Sequence, residues 1–142
     1  MDIRHLTDGY AVSPQIAPED VAAIKAAGFT TVIDNRPDAE IPPELHTGAM
    51  RAAVEAAGLR FVANHVIGGA ISDDNIMAQR AAIDSADGPV FAYCASGNRS
   101  SIVWAMSVAG RMPTDTLIAT AAQWGYNLEP FRPRIESFAI RT

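Results

Sequence analysis

Val90-Phe91-Ala92-Tyr93-Cys94-Ala95-Ser96-Gly97-Asn98-Arg99-Ser100-Ser101 carries an apolar run into a cysteine, a loop of small residues, an arginine and a helical pattern. Four apolar residues bounded by Gly88-Pro89 read as a buried central strand, and Ile102, Val103, Met106 and Val108 return at helical spacing. In an α/β sheet the loop between such a strand and helix lies at the carboxyl end of the strands, where ligands bind. Ser96, Gly97 and Asn98 tolerate the tight or left-handed backbone that turns successive N–H groups inward as a nest for an anion. The helix start adds its positive end, and Arg99 offers a permanently charged, bidentate fork. Ala95, Ser96, Gly97 and Asn98 are therefore the expected substrate-binding loop, with Arg99 as its clamp. Helix amino termini and arginines favour thiolates over thiols, so Cys94 reads as a nucleophile set against that anion. Ser100 is expected to hydrogen-bond the sulfur and stabilise it as a leaving group.

Outward from this segment, short strands alternate with helices. Asp8-Gly9 between Ile3–Leu6 and Tyr10–Val12 predicts a hairpin. Pro18, the acids Glu19 and Asp20, and Gly28 punctuate a helix before a strand at Phe29–Ile33. A helix from about 43 to 57 precedes a strand from Leu59 to about Val66, and Ser72 opens the next helix. Two more are expected from about 114 to 124 and 129 to 140. This alternation predicts an α/β fold with a mainly parallel central sheet flanked by helices on both faces.

The chain has 142 residues, the size of a single domain, so one domain is expected over 1–142. With 49% hydrophobic and 19% charged residues it has the apolar content to fold. A net charge of −5 provides no basic field for nucleic acid or an anionic membrane. A single cysteine excludes an internal disulfide, a zinc ribbon and a redox Cys-x-x-Cys pair, and no cofactor or metal is expected. Nothing near Met1 resembles a signal peptide, so a cytoplasmic location is expected. The expected partner is a small anionic or phosphorylated substrate, and the oligomeric state stays open.

Cys-x-x-Gly-x-Arg-Ser after an apolar strand resembles the catalytic loops of protein tyrosine and dual-specificity phosphatases and of rhodanese-like sulfurtransferases. Val32-Ile33-Asp34-Asn35-Arg36-Pro37-Asp38-Ala39-Glu40, Pro89 to Ala105 and Gly125-Tyr126-Asn127-Leu128 are more particularly similar to the bacterial DUF442 group, the phosphatase-like domain of beta-lactamase-hydrolase-like proteins. Some members of that group are labelled sulfurtransferases. The resemblance implies a phosphatase-type fold with the cysteine loop at its centre. Two departures matter. Cys94 to Arg99 spans six positions, one fewer than in classical tyrosine phosphatases, and Tyr93 stands where those carry a histidine. Both departures look rhodanese-like.

A phosphatase also needs a general acid for its leaving group, whereas sulfur transfer to a soft nucleophile does not. Asp73 and Asp74 are the candidates, although acids behind Ser72 also suit a helix start. Arg36, with Asp34 and Asn35, ends a strand on the same sheet edge and is expected at the pocket rim. His65 ends another strand and reads as structural. Trp104 and Trp124 have core spacing, while Arg132 and Arg134 read as solvated charges. The expected activity is a cysteine-based phosphatase acting through a phosphocysteine. The alternatives are sulfur transfer through a Cys94 persulfide, or an anion- or phosphoprotein-binding module without turnover.

Overall fold

β1 (Arg4–Thr7), β2 (Tyr10–Ser13), β3 (Thr31–Asp34), β4 (Arg60–Ala63) and β5 (Val90–Tyr93) form one sheet in the order β1-β2-β5-β3-β4. The computed structural model describes residues 1–140. β5 lies between β2 and β3 with parallel pairing on both sides, β4 extends the parallel run, and β1 closes the other edge antiparallel to β2.

Strand periodicity sends successive side chains to opposite faces, and here each face has its own core. Val12, Ile33, Val90 and Ala92 pack with Ile76 of α3 (Asp73–Asp84), Ile102 and Trp104 of α4 (Asn98–Ser107), Leu117 of α5 (Thr114–Ala122) and Ile135 of α6 (Arg132–Ile140). Ala11, Val32, Phe91 and Tyr93 pack with Val21 and Ile24 of α1 (Val21–Ala26) and Met50 and Val54 of α2 (Thr47–Ala56). The sheet is thus covered on both faces, as the alternation predicts.

Boundaries shift where local chemistry overrides the pattern. Pro42-Pro43 hold a 3₁₀ turn over Pro43–Leu45 and His46 stays extended, so α2 begins at Thr47. β4 ends at Ala63, although Asn64 and Val66 still donate their N–H groups to Asp34 and Asn35 carbonyls. Trp104 is buried as expected. Trp124 is 42% exposed, because it falls in the turn after α5, and its indole N–H donates to His5 O at 2.9 Å.

Beneath the Cys94 loop lies a buried polar network. Gln79 Oε1 accepts from Asn35 Nδ2 at 2.9 Å and Asn64 Nδ2 at 2.8 Å, while Gln79 Nε2 donates to Tyr10 Oη at 2.9 Å. Tyr10 Oη in turn donates to Ser100 O at 2.9 Å, tying the start of α4 to β2. Replacing Gln79 with leucine keeps the volume but strands several of these groups without water. At roughly 1–3 kcal/mol for each buried unsatisfied group, Gln79→Leu is expected to cost about 3 kcal/mol, read by chemical denaturation.

Candidate active site

Gly97 has φ = +95°, the left-handed conformation that glycine adopts without strain, and it serves as N-cap of α4. This geometry starts the helix at Asn98 and folds the Gly97 N–H back onto Cys94 Sγ at 3.1 Å. A Cβ at position 97 would also run into the Tyr126 hydroxyl, so glycine is required here for space as well as for φ. Cys94 is 1% exposed at the loop floor, while Ala95, Ser96 and Asn98 line the open side. Asn98 N donates to Ser96 Oγ at 3.2 Å. The loop is fixed from outside by Tyr126 Oη, which donates to Ser96 O at 2.8 Å and accepts from Arg4 Nη1 at 2.5 Å, and by Gln15 N donating to Ala95 O.

Arg99 is held in one orientation. Its Nη1 and Nη2 donate to the two Glu40 carboxylate oxygens at 2.8 and 2.7 Å, and Nη1 also donates to Val66 O at 2.8 Å. These three bonds use both Nη1 hydrogens and one Nη2 hydrogen, leaving Nε–H and the second Nη2–H as a fork for another anion. The Arg99 pKa is raised, first by its bonds to Glu40 and, against burial, by Cys94, so the guanidinium is electrostatically coupled to the sulfur. Arg99 in turn holds the Glu40 carboxyl below its usual range, which keeps it ionised at neutral pH. Glu40 is therefore a positioning residue for the clamp. Glu40→Gln removes one charge-assisted hydrogen bond and is expected to lower kcat/KM about tenfold, the equivalent of roughly 1.4 kcal/mol, with the fold unchanged by circular dichroism.

The structure draws together some of the expected site residues and separates others. Cys94, the 95–98 loop and Arg99 form one constellation. Arg36 joins it through Glu40, to which its Nε donates at 3.3 Å, and its Nη1 donates to Gln15 Oε1. Ser100, expected at the sulfur, instead donates from Oγ to Asn35 Oδ1 at 2.8 Å, since a buried amide oxygen needs a donor. Asp73 and Asp74 sit in the first turn of α3, where Ser72 and Asn75 form a capping box. Asp73 Oδ1 accepts from Arg134 Nη2 at 3.0 Å, and Asp74 is exposed.

Arg134 departs from its expected role as a solvated charge. It bonds Ile71 O and Asp73 and lines, with Arg99 and Asn98, a pocket of about 170 Å³ floored by Ile71, Ile102 and Phe131 and edged by Gly68 and Gly69. Asp73 reaches the rim of that pocket through Arg134. Arg132 pairs with Asp115 and Glu129 on the surface.

Glu40, Tyr126, Gln15 and Arg4 were not among the residues expected at the site. Glu40 and Tyr126 do fall within the segments quoted above for their resemblance, which was the available signal.

A sequence profile of the family described as "Beta-lactamase hydrolase-like protein, phosphatase-like domain" matches residues 2–111. The beta-lactamase hydrolase-like protein of Xylella fastidiosa (strain 9a5c) is 31% identical over 144 aligned residues, covering all of this chain and 33% of the relative. The chain thus spans about a third of that protein's length. A crystal structure of a phosphatase candidate from Neisseria meningitidis z2491 is 34% identical, with a TM-score of 0.82 over 97% of this chain and 99% of that one. A DUF442 phosphatase candidate from Shewanella putrefaciens CN-32, 19% identical, shares the fold, with a TM-score of 0.74 over 98% and 87% of the two chains. Both the fold and the sequence match run through β5, the Cys94 loop and Arg99, and the chain belongs to the beta-lactamase hydrolase-like protein, phosphatase-like domain family.

Proposed function

We propose that this chain is a cysteine-dependent phosphatase acting on a small phosphate monoester. The observation that carries the reading is Cys94 at the floor of a loop opening onto the amino end of α4, with Arg99 coupled to its sulfur and a second guanidinium fork left for an anion. In this mechanism the Cys94 thiolate attacks phosphorus as the ester P–O bond breaks. The departing oxygen takes a proton from a carboxylic acid, for which Asp73 is the candidate. Water then attacks the phosphocysteine, releasing inorganic phosphate and restoring the thiolate. Arg99 and the loop amides bind the equatorial oxygens, where charge is concentrated.

A second reading is favoured by the size of the loop. Over six positions, one amide is already bonded to Cys94 Sγ and another to Ser96 Oγ, which makes a small cradle. In sulfur transfer the thiolate attacks the outer sulfur of thiosulfate, forming an S–S bond as sulfite leaves. Cyanide then attacks that outer sulfur, giving thiocyanate and the original thiolate. No proton donor is needed.

The test is to assay the chain on an aryl phosphate and, separately, on thiosulfate plus cyanide. Phosphate release without thiocyanate is the expected result. Thiocyanate without phosphate release overturns the phosphatase in favour of sulfur transfer. Neither product, with phosphate still binding, reduces the chain to an anion-binding module.

A further inference from the structure

The pocket beside the Cys94 loop has two cationic walls and an apolar floor. Asn98 and Ile102 stand one turn apart on α4 with Arg99 next to them, while Phe131 and Arg134 reach the same space from the turn before α6 and from its first turn. The segment 66–71 closes another side. Arg99 Nη1 donates to Val66 O at 2.8 Å and Arg134 Nη1 to Ile71 O at 2.5 Å, so one guanidinium holds each end of that segment. Between them Gly68 and Gly69 form an edge without side chains, and a Cβ at either position would meet open space. The mouth is thereby kept clear.

Among the described residues, the charged members of the lining are Arg99 and Arg134, with no carboxylate between them. Their acidic partners, Glu40 and Asp73, hold them from outside the pocket. Two like charges on one small cavity favour the entry of anions. Ile71 O and Asp73 take two of the five N–H groups of Arg134, whose side chain is 37% exposed, so donors remain for a ligand. A phosphate at Cys94 and Arg99 leaves Arg134 without an anion of its own from the substrate. Ile71, Ile102 and Phe131 meanwhile offer apolar contact. The volume of about 170 Å³ is a little above the roughly 150 Å³ that encloses a benzene. One ring, or a chain of similar size, with a small polar group fills it.

We propose that this pocket selects phosphate monoesters whose leaving group is a single apolar ring or short chain bearing a second anion, a carboxylate or a phosphate, bound by Arg134. This substrate class rests on the phosphatase reading, in which the ester phosphate lies against Cys94 and Arg99 and the rest of the substrate enters the pocket. Arg134 is then the residue that sets specificity. Its planar fork pairs with a carboxylate or phosphate edge on edge, and the apolar floor replaces the water around the ring.

Aryl phosphonates test the pocket without turnover, because their P–C bond has no ester oxygen to expel. Phenylphosphonate, 3-carboxyphenylphosphonate and 4-carboxyphenylphosphonate are titrated calorimetrically into the chain. The better of the two carboxylated ligands is expected to bind at least about tenfold tighter than phenylphosphonate, a comparison that needs no variant. In Arg134→Gln that ratio is expected to fall below about threefold. Equal affinities in the wild-type chain, a preference that persists in Arg134→Gln, or no binding of any phosphonate overturns the proposal. Phosphate release from phenyl phosphate alongside equal phosphonate affinities removes the second anion and leaves the phosphatase standing. A preference that depends on Arg134, with no phosphate released from any aryl ester, upholds the two-anion pocket and removes the phosphatase.

Discussion

Replacing Cys94 with serine is expected to lower turnover by at least about 10³-fold while leaving the fold intact, because it removes the proposed nucleophile and changes one atom. At 1% exposure, Cys94 meets its surroundings through the Gly97 N–H, which a serine oxygen can also accept. The thermal midpoint should therefore move by no more than a few degrees. The hydroxyl is a far weaker acid than the thiol and would stay protonated beside the same guanidinium, so the clamp alone cannot restore attack. Steady-state kinetics on the aryl phosphate, with thermal unfolding as control, checks both halves. Activity within tenfold of wild type would mean that the sulfur is not the attacking atom.

Arg99 carries the second large effect. Arg99→Ala removes the fork facing the anion, the bidentate partner of Glu40 and the donor to Val66 O in one step. Loss of one preorganised oxyanion donor costs about 10²–10³ in kcat, and that is the expected fall. The informative variant is Arg99→Lys. An ammonium can bond Glu40, but it has no planar fork with which to hold Glu40 on one edge and a tetrahedral anion on the other. It should recover less than about a tenth of the lost rate. Recovery to near wild type would reduce Arg99 to a point charge and contradict the two-edged geometry. Glu40 ties this variant to the rest of the site: with Arg99 gone, its carboxylate keeps Arg36 and points into a binding site for anions. Substrate affinity should therefore fall along with kcat.

The central strand and the cysteine loop could be read from the chain because their chemistry is local. Val90–Tyr93 is bounded by Gly88-Pro89 and the cysteine, and Gly97 is the residue that reverses the backbone into α4. The two-faced sheet also follows from local pattern, since Phe91 and Tyr93 alternate with Val90 and Ala92 along β5. What could not be read depends on pairings distant in sequence. Glu40 meets Arg99 across 59 positions, and Ser100 turns to Asn35 across 65, because the buried network had a prior need for its hydrogen. Arg134 reads as surface charge in the sequence because the carbonyl of Ile71 and the carboxylate of Asp73, its partners, lie more than 60 residues earlier. Trp124 differs for a local reason: α5 ends at Ala122, two residues before the helical spacing in the sequence does.

In the proposed reaction Cys94 Sγ forms a covalent phosphocysteine intermediate. Rapid acid quench of the chain mixed with an aryl phosphate, followed by intact-mass and peptide mass spectrometry, tests it directly. One phosphoryl group is expected on the peptide carrying Cys94, present in the wild-type chain and absent from Cys94→Ser. Phosphate release at full rate with no adduct on that peptide, or an adduct on another residue, would contradict it.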